Sequence, residues 1–183
     1  MRVALLLILG IALSACSGAL RRLPELPPQA QTAYVLGPGD VLQITVYDQP
    51  DLTGPYHISD GGTLAMPLLG VVPAQGLTLQ QLQHDLLQRL QAKVVKSPDV
   101  TLQVTEYRPF FILGEVKNPG SYAYVPDMTV LTAVALAGGF TFRASQTEVS
   151  VTRRTEGEAH EARAQRAARV LPGDTIYVFE RHF

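Results

Sequence analysis

Acidic side chains close together are the first residues in this 183-residue chain with the types and spacing for chemistry. Asp48, Asp51 and Asp60 share one short stretch, and two carboxylates a few ångströms apart can serve as acid and base on a glycosidic bond. Their contexts favour another use: Asp48-Gln49-Pro50 and Asp60-Gly61 are settings in which Asp forms turns by bonding nearby backbone N–H groups. Asp40 in Pro38-Gly39-Asp40 reads the same way. His57, His84, His160 and His182 show no pairing at metal-ligand spacing, and the one cysteine excludes an internal disulfide or a thiolate cluster. No metal and no cofactor are expected. There is no Gly-x-Ser-x-Gly elbow. Gly37-Pro38-Gly39 is no phosphate loop, because proline removes a donor N–H and a strand pattern, not a helix, follows. The expectation is a protein that is not an enzyme.

The lone cysteine has its own context. Met1-Arg2 is a minimal positive region, Val3 to Leu13 is almost unbroken apolar sequence, and Leu13-Ser14-Ala15-Cys16 follows directly. The apolar run is well short of the roughly 20 residues of a spanning helix. These four residues resemble the bacterial lipobox, in which small residues let an extended chain enter a peptidase cleft and the cysteine thiolate takes a diacylglyceryl group. Residues 1–15 are read as a signal peptide and Cys16 as the lipidated first residue of the mature chain; the alternative is an ordinary secretory signal that happens to end in cysteine. Acyl chains would anchor the protein without spanning the bilayer. Ser17 follows Cys16 where an Asp would be the usual inner-membrane retention mark, so the periplasmic face of the outer membrane is expected.

Lys plus Arg number 15 against 16 for Asp plus Glu, which leaves no broad basic surface for phosphates and argues against nucleic acid. Arg153, Arg154, Arg163, Arg166 and Arg169 could meet an acidic polymer, but Glu148, Glu156, Glu158 and Glu161 are interleaved with them. Solvated or subunit-facing ion pairs are the competing reading. Tyr107, Tyr122, Tyr124 and Tyr177 could stack on sugar faces or simply pack on strands. No ligand-binding residue can be named.

Turn signals divide the rest of the chain. Pro24, Pro27 and Pro28 in residues 16–33 mark an extended tether. A first unit, 34–106, has a strand over 41–47, a tight turn at Asp60-Gly61-Gly62 and a small hairpin to Val72. Thr78-Leu79-Gln80-Gln81 has the capping-box pattern, and Leu79, Leu82, Leu86 and Leu90 then recur at helical spacing to about Lys93. Val100, Leu102 and Val104 alternate with polar residues as a half-buried strand. A second unit, 107–183, has strands from Phe110 and over Ser121–Val125, a helix capped by Thr129 and stopped by Gly138-Gly139, and strands over 147–152 and 175–179. Glu156 to Arg169, rich in Ala, Glu and Arg, has helical propensity. Pro-Gly-Asp occurs at 38–40 and again at 172–174, each before a strand.

Lipobox, tether and the string Gly37-Pro38-Gly39-Asp40, Gln49-Pro50-Asp51-Leu52, Asp60-Gly61, Leu64, Pro67-Leu68-Leu69-Gly70, Gly76-Leu77-Thr78 and Pro98-Asp99-Val100 resemble the Wza-like polysaccharide export lipoproteins. The second unit is similar to the soluble-ligand-binding β-grasp (SLBB) domain through Gly114-Glu115-Val116, Asn118-Pro119-Gly120, Ala137-Gly138-Gly139 and Pro172-Gly173-Asp174. The resemblance implies an α+β protein, a small export domain of short strands and one amphipathic helix followed by a β-grasp domain. Its glycines and prolines mark turns, so these matches are structural and carry no catalytic residue.

The resemblance also implies a ring-shaped homo-oligomer in the periplasm, through which a capsular or exopolysaccharide passes. Long family members add a C-terminal pore helix, whereas only Arg181, His182 and Phe183 follow the last strand pattern here. A short form of this kind would hand polymer to a separate outer-membrane β-barrel and meet an inner-membrane chain-length regulator. The rival readings are a monomeric glycan-binding lipoprotein and a periplasmic glycan-modifying enzyme built on Asp48, Asp51 and Asp60.

Overall fold

The computed structural model describes residues 23–27, 33–93, 98–155 and 157–181; the signal segment, Cys16 and His182 lie outside them. The chain divides into two compact units, one built on 33–108 with 123–125, the other on 23–27, 109–122 and 126–181. Its helices and many strands make it an α+β protein.

In the first unit β1 (Val41–Val46) is the central strand, antiparallel to β2 (Gly54–His57) on one side and to β5 (Val100–Glu106) on the other. Leu42, Ile44 and Val46 are buried, and they pair with Val104, Leu102 and Val100 across the β1–β5 ladder. A two-stranded hairpin, β3 (Thr63–Met66) and β4 (Gly70–Pro73), follows the Asp60-Gly61-Gly62 turn. That turn is closed by the Gly62 N–H donating to Ser59 O at 2.8 Å. Helix α1 (Leu79–Lys93) buries Leu82, Leu86 and Leu90 completely in the same core. Its expected capping box is present: Thr78 N donates to Gln81 Oε1 at 2.8 Å and Gln81 N to Thr78 Oγ1 at 3.2 Å.

The second unit is a five-stranded sheet in the order β7-β6-β10-β8-β9, crossed by one short helix. Its members are β6 (Phe110–Gly114), β7 (Gly120–Tyr122), β8 (Glu148–Thr155), β9 (Glu158–Gln165) and β10 (Thr175–Val178). β6 and β10 are parallel and the other pairs antiparallel, the β-grasp arrangement expected. Phe110, Ile112, Val149, Val151, Ile176 and Val178 are buried, as are Val130, Ala133 and Val134 of α2 (Val130–Leu136). Thr129 caps α2 with Thr132 as its reciprocal partner. At the other end Gly138 N bonds Ala135 O and Gly139 N bonds Val134 O, a Schellman ending that needs the positive φ of 82° at Gly138.

Three local expectations give way to tertiary context. Residues 156–169 have helical propensity, yet β8 turns at Gly157 (φ 89°) into β9. Ala162 and Ala164 alternate inward there, and eight residue pairs with β8 outweigh propensities of a few tenths of a kcal/mol per residue. The strand read over Ser121–Val125 ends at Tyr122, because 123–125 group with the first unit. Within the Pro-rich stretch read as tether, Leu26 N donates to Arg163 O at 2.7 Å and Arg163 N to Pro24 O at 2.8 Å, so residues 23–27 lie on the edge of β9.

Gly114 ends β6 at φ 84°, and a β-carbon there would collide with the Val178 carbonyl oxygen of β10. Gly139 has φ 93° with open space around it. Gly114→Ala is therefore expected to lower stability by about 3 kcal/mol and Gly139→Ala by only about 1 kcal/mol. The difference reads directly from urea midpoints at unchanged m-value.

Candidate functional site

Asp40 and Asp174, the last residues of the two Pro-Gly-Asp turns, are 0% and 1% exposed. A carboxylate so far from water has to be met by hydrogen-bond donors. At Asp40 the donors are the Gly37 N–H (2.9 Å), the Tyr34 hydroxyl (2.6 Å), the Arg108 N–H (2.9 Å) and Arg108 Nη1 (3.2 Å). At Asp174 they are the Leu171 N–H (2.7 Å) and the guanidinium of Arg153, whose Nε (2.9 Å) and Nη2 (2.7 Å) take one oxygen each.

The two turns share one plan. In each, the Asp N–H closes the turn onto the carbonyl three residues back, Gly37 or Leu171, while the Asp side chain accepts that same residue's N–H. In each, an arginine from or beside a strand of the same unit, Arg108 just after β5 or Arg153 in β8, supplies the countercharge. The strand that follows starts directly from the clasped residue: Ile58 N bonds Asp40 O, and Phe111 N bonds Asp174 O. Both oxygens of each carboxylate are engaged, so the clasps hold turns and strand ends and offer no base for proton transfer.

Aromatic rings extend the first clasp. Arg108 lies 5.6 Å over the Tyr34 ring; Tyr34 meets Tyr107 edge-on at 5.0 Å, and Tyr107 meets Tyr124 at 5.4 Å. Burial, and then the hydrogen bond to Asp40, push the Tyr34 hydroxyl well above its ordinary value of 10.0. Burial and the Asp40 charge raise Tyr107 as well.

The remaining acidic candidates stay apart from these clasps. Asp48 (φ 57°) and Asp51 occupy the β1–β2 connection, Asp60 the turn before β3, and all three are exposed. His84 meets Gln88 at 2.9 Å along α1 and His160 lies 3.9 Å from Glu158. Among the described residues no group of His, Cys, Asp and Glu is placed to hold a metal ion. The basic set of the second unit is largely paired within the chain: Arg153 with Asp174, Arg163 with Glu148 at 3.7 Å, Arg169 with Asp127 at 3.2 Å. Arg166 borders a shallow open depression of about 360 Å³ with Thr147, Glu148, Gln165 and Ala167. Tyr122 stacks on Phe110 at 5.9 Å and donates its hydroxyl to Asn118 O at 2.6 Å, while Tyr177 packs edge-on with Phe179 at 4.8 Å.

Sequence reasoning marked the Pro-Gly-Asp turns but missed their arginines. The available signal was the echo itself, since an Asp placed just ahead of an apolar strand is headed for the interior and needs a cation. Sequence reasoning also missed an apolar surface. On the second unit Phe111, Leu113 and Tyr177 are 43%, 45% and 44% exposed on one sheet face, and Leu131 and Leu136 are about half exposed on α2. Among the described residues no helix is long and apolar enough to cross a membrane.

The two clasped units are separately recognisable in other proteins. Residues 28–105 match the polysaccharide biosynthesis/export protein family, and residues 109–164 match the SLBB domain. The chain thus carries a polysaccharide biosynthesis/export domain with an SLBB domain behind it. Exopolysaccharide production protein ExoF of Rhizobium meliloti is 32% identical over 140 residues, 70% of this chain and 31% of that protein. EPS I polysaccharide export outer membrane protein EpsA of Ralstonia solanacearum is 33% identical over 135 residues, 59% of this chain and 35% of that one. Polysialic acid transport protein KpsD of Escherichia coli is 25% identical over 108 residues, 58% of this chain and 19% of its own length. The matched part is thus about a third or less of each relative.

Removing a buried carboxylate leaves its arginine and turn N–H groups unpaired, so Asp40→Ala and Asp174→Ala are each expected to cost about 3 kcal/mol, against less than about 0.5 for exposed Asp60→Ala. Denaturant melts of the three variants check this. Tyr34 adds a pH dependence: its folded pKa is raised, so the folded state binds more protons than the unfolded chain above pH 10, and stability present below that pH falls as pH rises further. Tyr34→Phe is expected to flatten the alkaline limb of a stability–pH profile.

Proposed function

We propose that the protein is a periplasmic, outer-membrane-anchored component of a capsular or exopolysaccharide export channel, lipidated at Cys16. It forms a ring-shaped homo-oligomer, passes polymer to a separate outer-membrane β-barrel and meets an inner-membrane chain-length regulator. The carrying observation is the succession of an export domain and an SLBB domain, in a chain similar to proteins named for exopolysaccharide production and export. The side chains agree with a conduit in place of an enzyme. The buried carboxylates are consumed by their clasps and most of the second unit's arginines by internal ion pairs, which suits a lumen that must hold a moving polymer weakly.

Assembly is supported by the apolar surface of the second unit. A sheet face with Phe111, Leu113 and Tyr177, and Leu131 and Leu136 on the two flanks of α2, are different apolar sites on one small domain. Unlike patches make heterologous, head-to-tail contacts, and such contacts close into rings when the rotation allows. Domains this small also leave much apolar surface to bury between subunits.

Deleting the protein is expected to remove the polymer from the medium, with periplasmic build-up or shutdown of synthesis, and Asn at Asp48, Asp51 and Asp60 together is expected to leave secretion intact. Normal secretion of a polymer with altered length or substituents would refute the export reading. Tyr177→Asp is expected to shift the detergent-extracted protein from a large assembly towards monomer by light scattering, with its urea midpoint changed by less than about 0.5 kcal/mol equivalent.

A further inference from the structure

β9 is the last strand of the second unit's sheet, and an edge strand presents a row of unpaired N–H and C=O groups. Residues 23–27 cover part of that row. Leu26 N donates to Arg163 O, Arg163 N donates to Pro24 O, and Glu25 stands opposite Arg163 in parallel register. Pro27, whose backbone faces away from β9, has no N–H to offer a further strand, so this segment is suited to be the outermost one. Leu23 and Leu26 are half-buried, while Pro24, Glu25 and Pro27 are exposed.

Parallel pairing gives the segment a direction. From Glu25 back towards the N-terminus, the chain runs as β9 runs back towards Glu158 and the β8–β9 turn. Cys16 precedes Leu23 by seven residues, which span at most about 25 Å when fully extended. Without the pairing, the 17 residues from Cys16 to Ala33 would allow about 60 Å.

We infer that residues 23–27 are a strap that seats the acylated end of the chain on the β9 edge and holds the second unit against the lipid surface with its β8–β9 turn foremost. This rests on the lipidation of Cys16. The chemistry of the partner is a bilayer, reached through the anchor and brought to one end of one strand by two main-chain hydrogen bonds.

The test uses the full, lipidated chain in phosphatidylethanolamine–phosphatidylglycerol vesicles that carry an acceptor-labelled lipid. Lipidation consumes the Cys16 sulfur, so Glu158→Cys or Ala167→Cys supplies a single thiol for a donor dye at one end or the other of β9. The eight-residue strand between them is roughly 25 Å long, enough for energy transfer to tell the ends apart. Transfer from position 158 is expected to exceed that from 167 at least twofold. Leu26→Pro, which removes the N–H given to Arg163, or a Gly-Ser replacement of 23–27 at equal length, is expected to abolish the difference while the protein stays on the vesicles. Equal or reversed transfer in the unaltered chain, or a difference that survives both strap variants, overturns the inference. Cys16→Ser separates the two readings: it is expected to release the protein, and persistence on vesicles would refute lipidation. In that soluble form, slow amide exchange at Arg163 that becomes fast with Leu26→Pro still reports the strap, and fast exchange in both refutes it.

Discussion

A carboxylate without solvent contact is tolerated only when donors replace its lost water, and this protein meets that demand twice with one local design. The turn N–H three residues back and an arginine converge on Asp40 and on Asp174. Each clasp stands where a strand begins, and the clasped residue's carbonyl receives an N–H from a neighbouring segment, that of Ile58 just after β2 in one unit and of Phe111 in β6 in the other. Sheet register in both units therefore hangs on a buried charge pair. Tyr34 shows how tightly the first is built, since its hydroxyl donates a hydrogen bond to Asp40 and its ring lies under Arg108.

Much of this was legible in the residues. The α1 capping box, its leucine spacing, the Asp60-Gly61-Gly62 turn and the Gly138-Gly139 stop are local signals, carried by side chains within four residues of the groups they satisfy, and all four appear as read. The arginine partners were not legible, because 68 residues separate Arg108 from Asp40 and 21 separate Arg153 from Asp174. Spacing arguments reach along one element and not across a sheet. The same limit applies to Asp48, Asp51 and Asp60, whose closeness in sequence says nothing about a shared cleft.

Residues 156–165 show the opposite failure, in which local signal was present and lost. Ala, Glu and Arg favour a helix by small increments, whereas the antiparallel β8–β9 ladder pairs every residue from Glu158 to Gln165 with one of β8 and buries Ala162 and Ala164. Alanine fits here because of its size. The outer edge of this strand is in turn met by a Pro-rich segment that lies along it through Arg163. A stretch that composition marks as an unpaired tether thus gains structure from the edge it meets.

The residues that carry the family resemblance are those of turns and not a constellation of reactive groups, and there is a physical reason for that. Two small units have little core relative to surface, so each depends heavily on turns that bring its few strands into register. Gly114 against the Val178 carbonyl, Gly138 in its helix ending and the two clasped aspartates are positions where hardly any other residue fits. Surface positions carry no such demand, and there the second unit displays Phe111, Leu113 and Tyr177 on one sheet face and Leu131 and Leu136 on the two flanks of α2. A turn-determined interior thus coexists with apolar side chains that the packing of the unit itself leaves uncovered. Turn positions admit few residue types and surface positions many, which is why the turns, and not the exposed apolar side chains, were legible in this sequence.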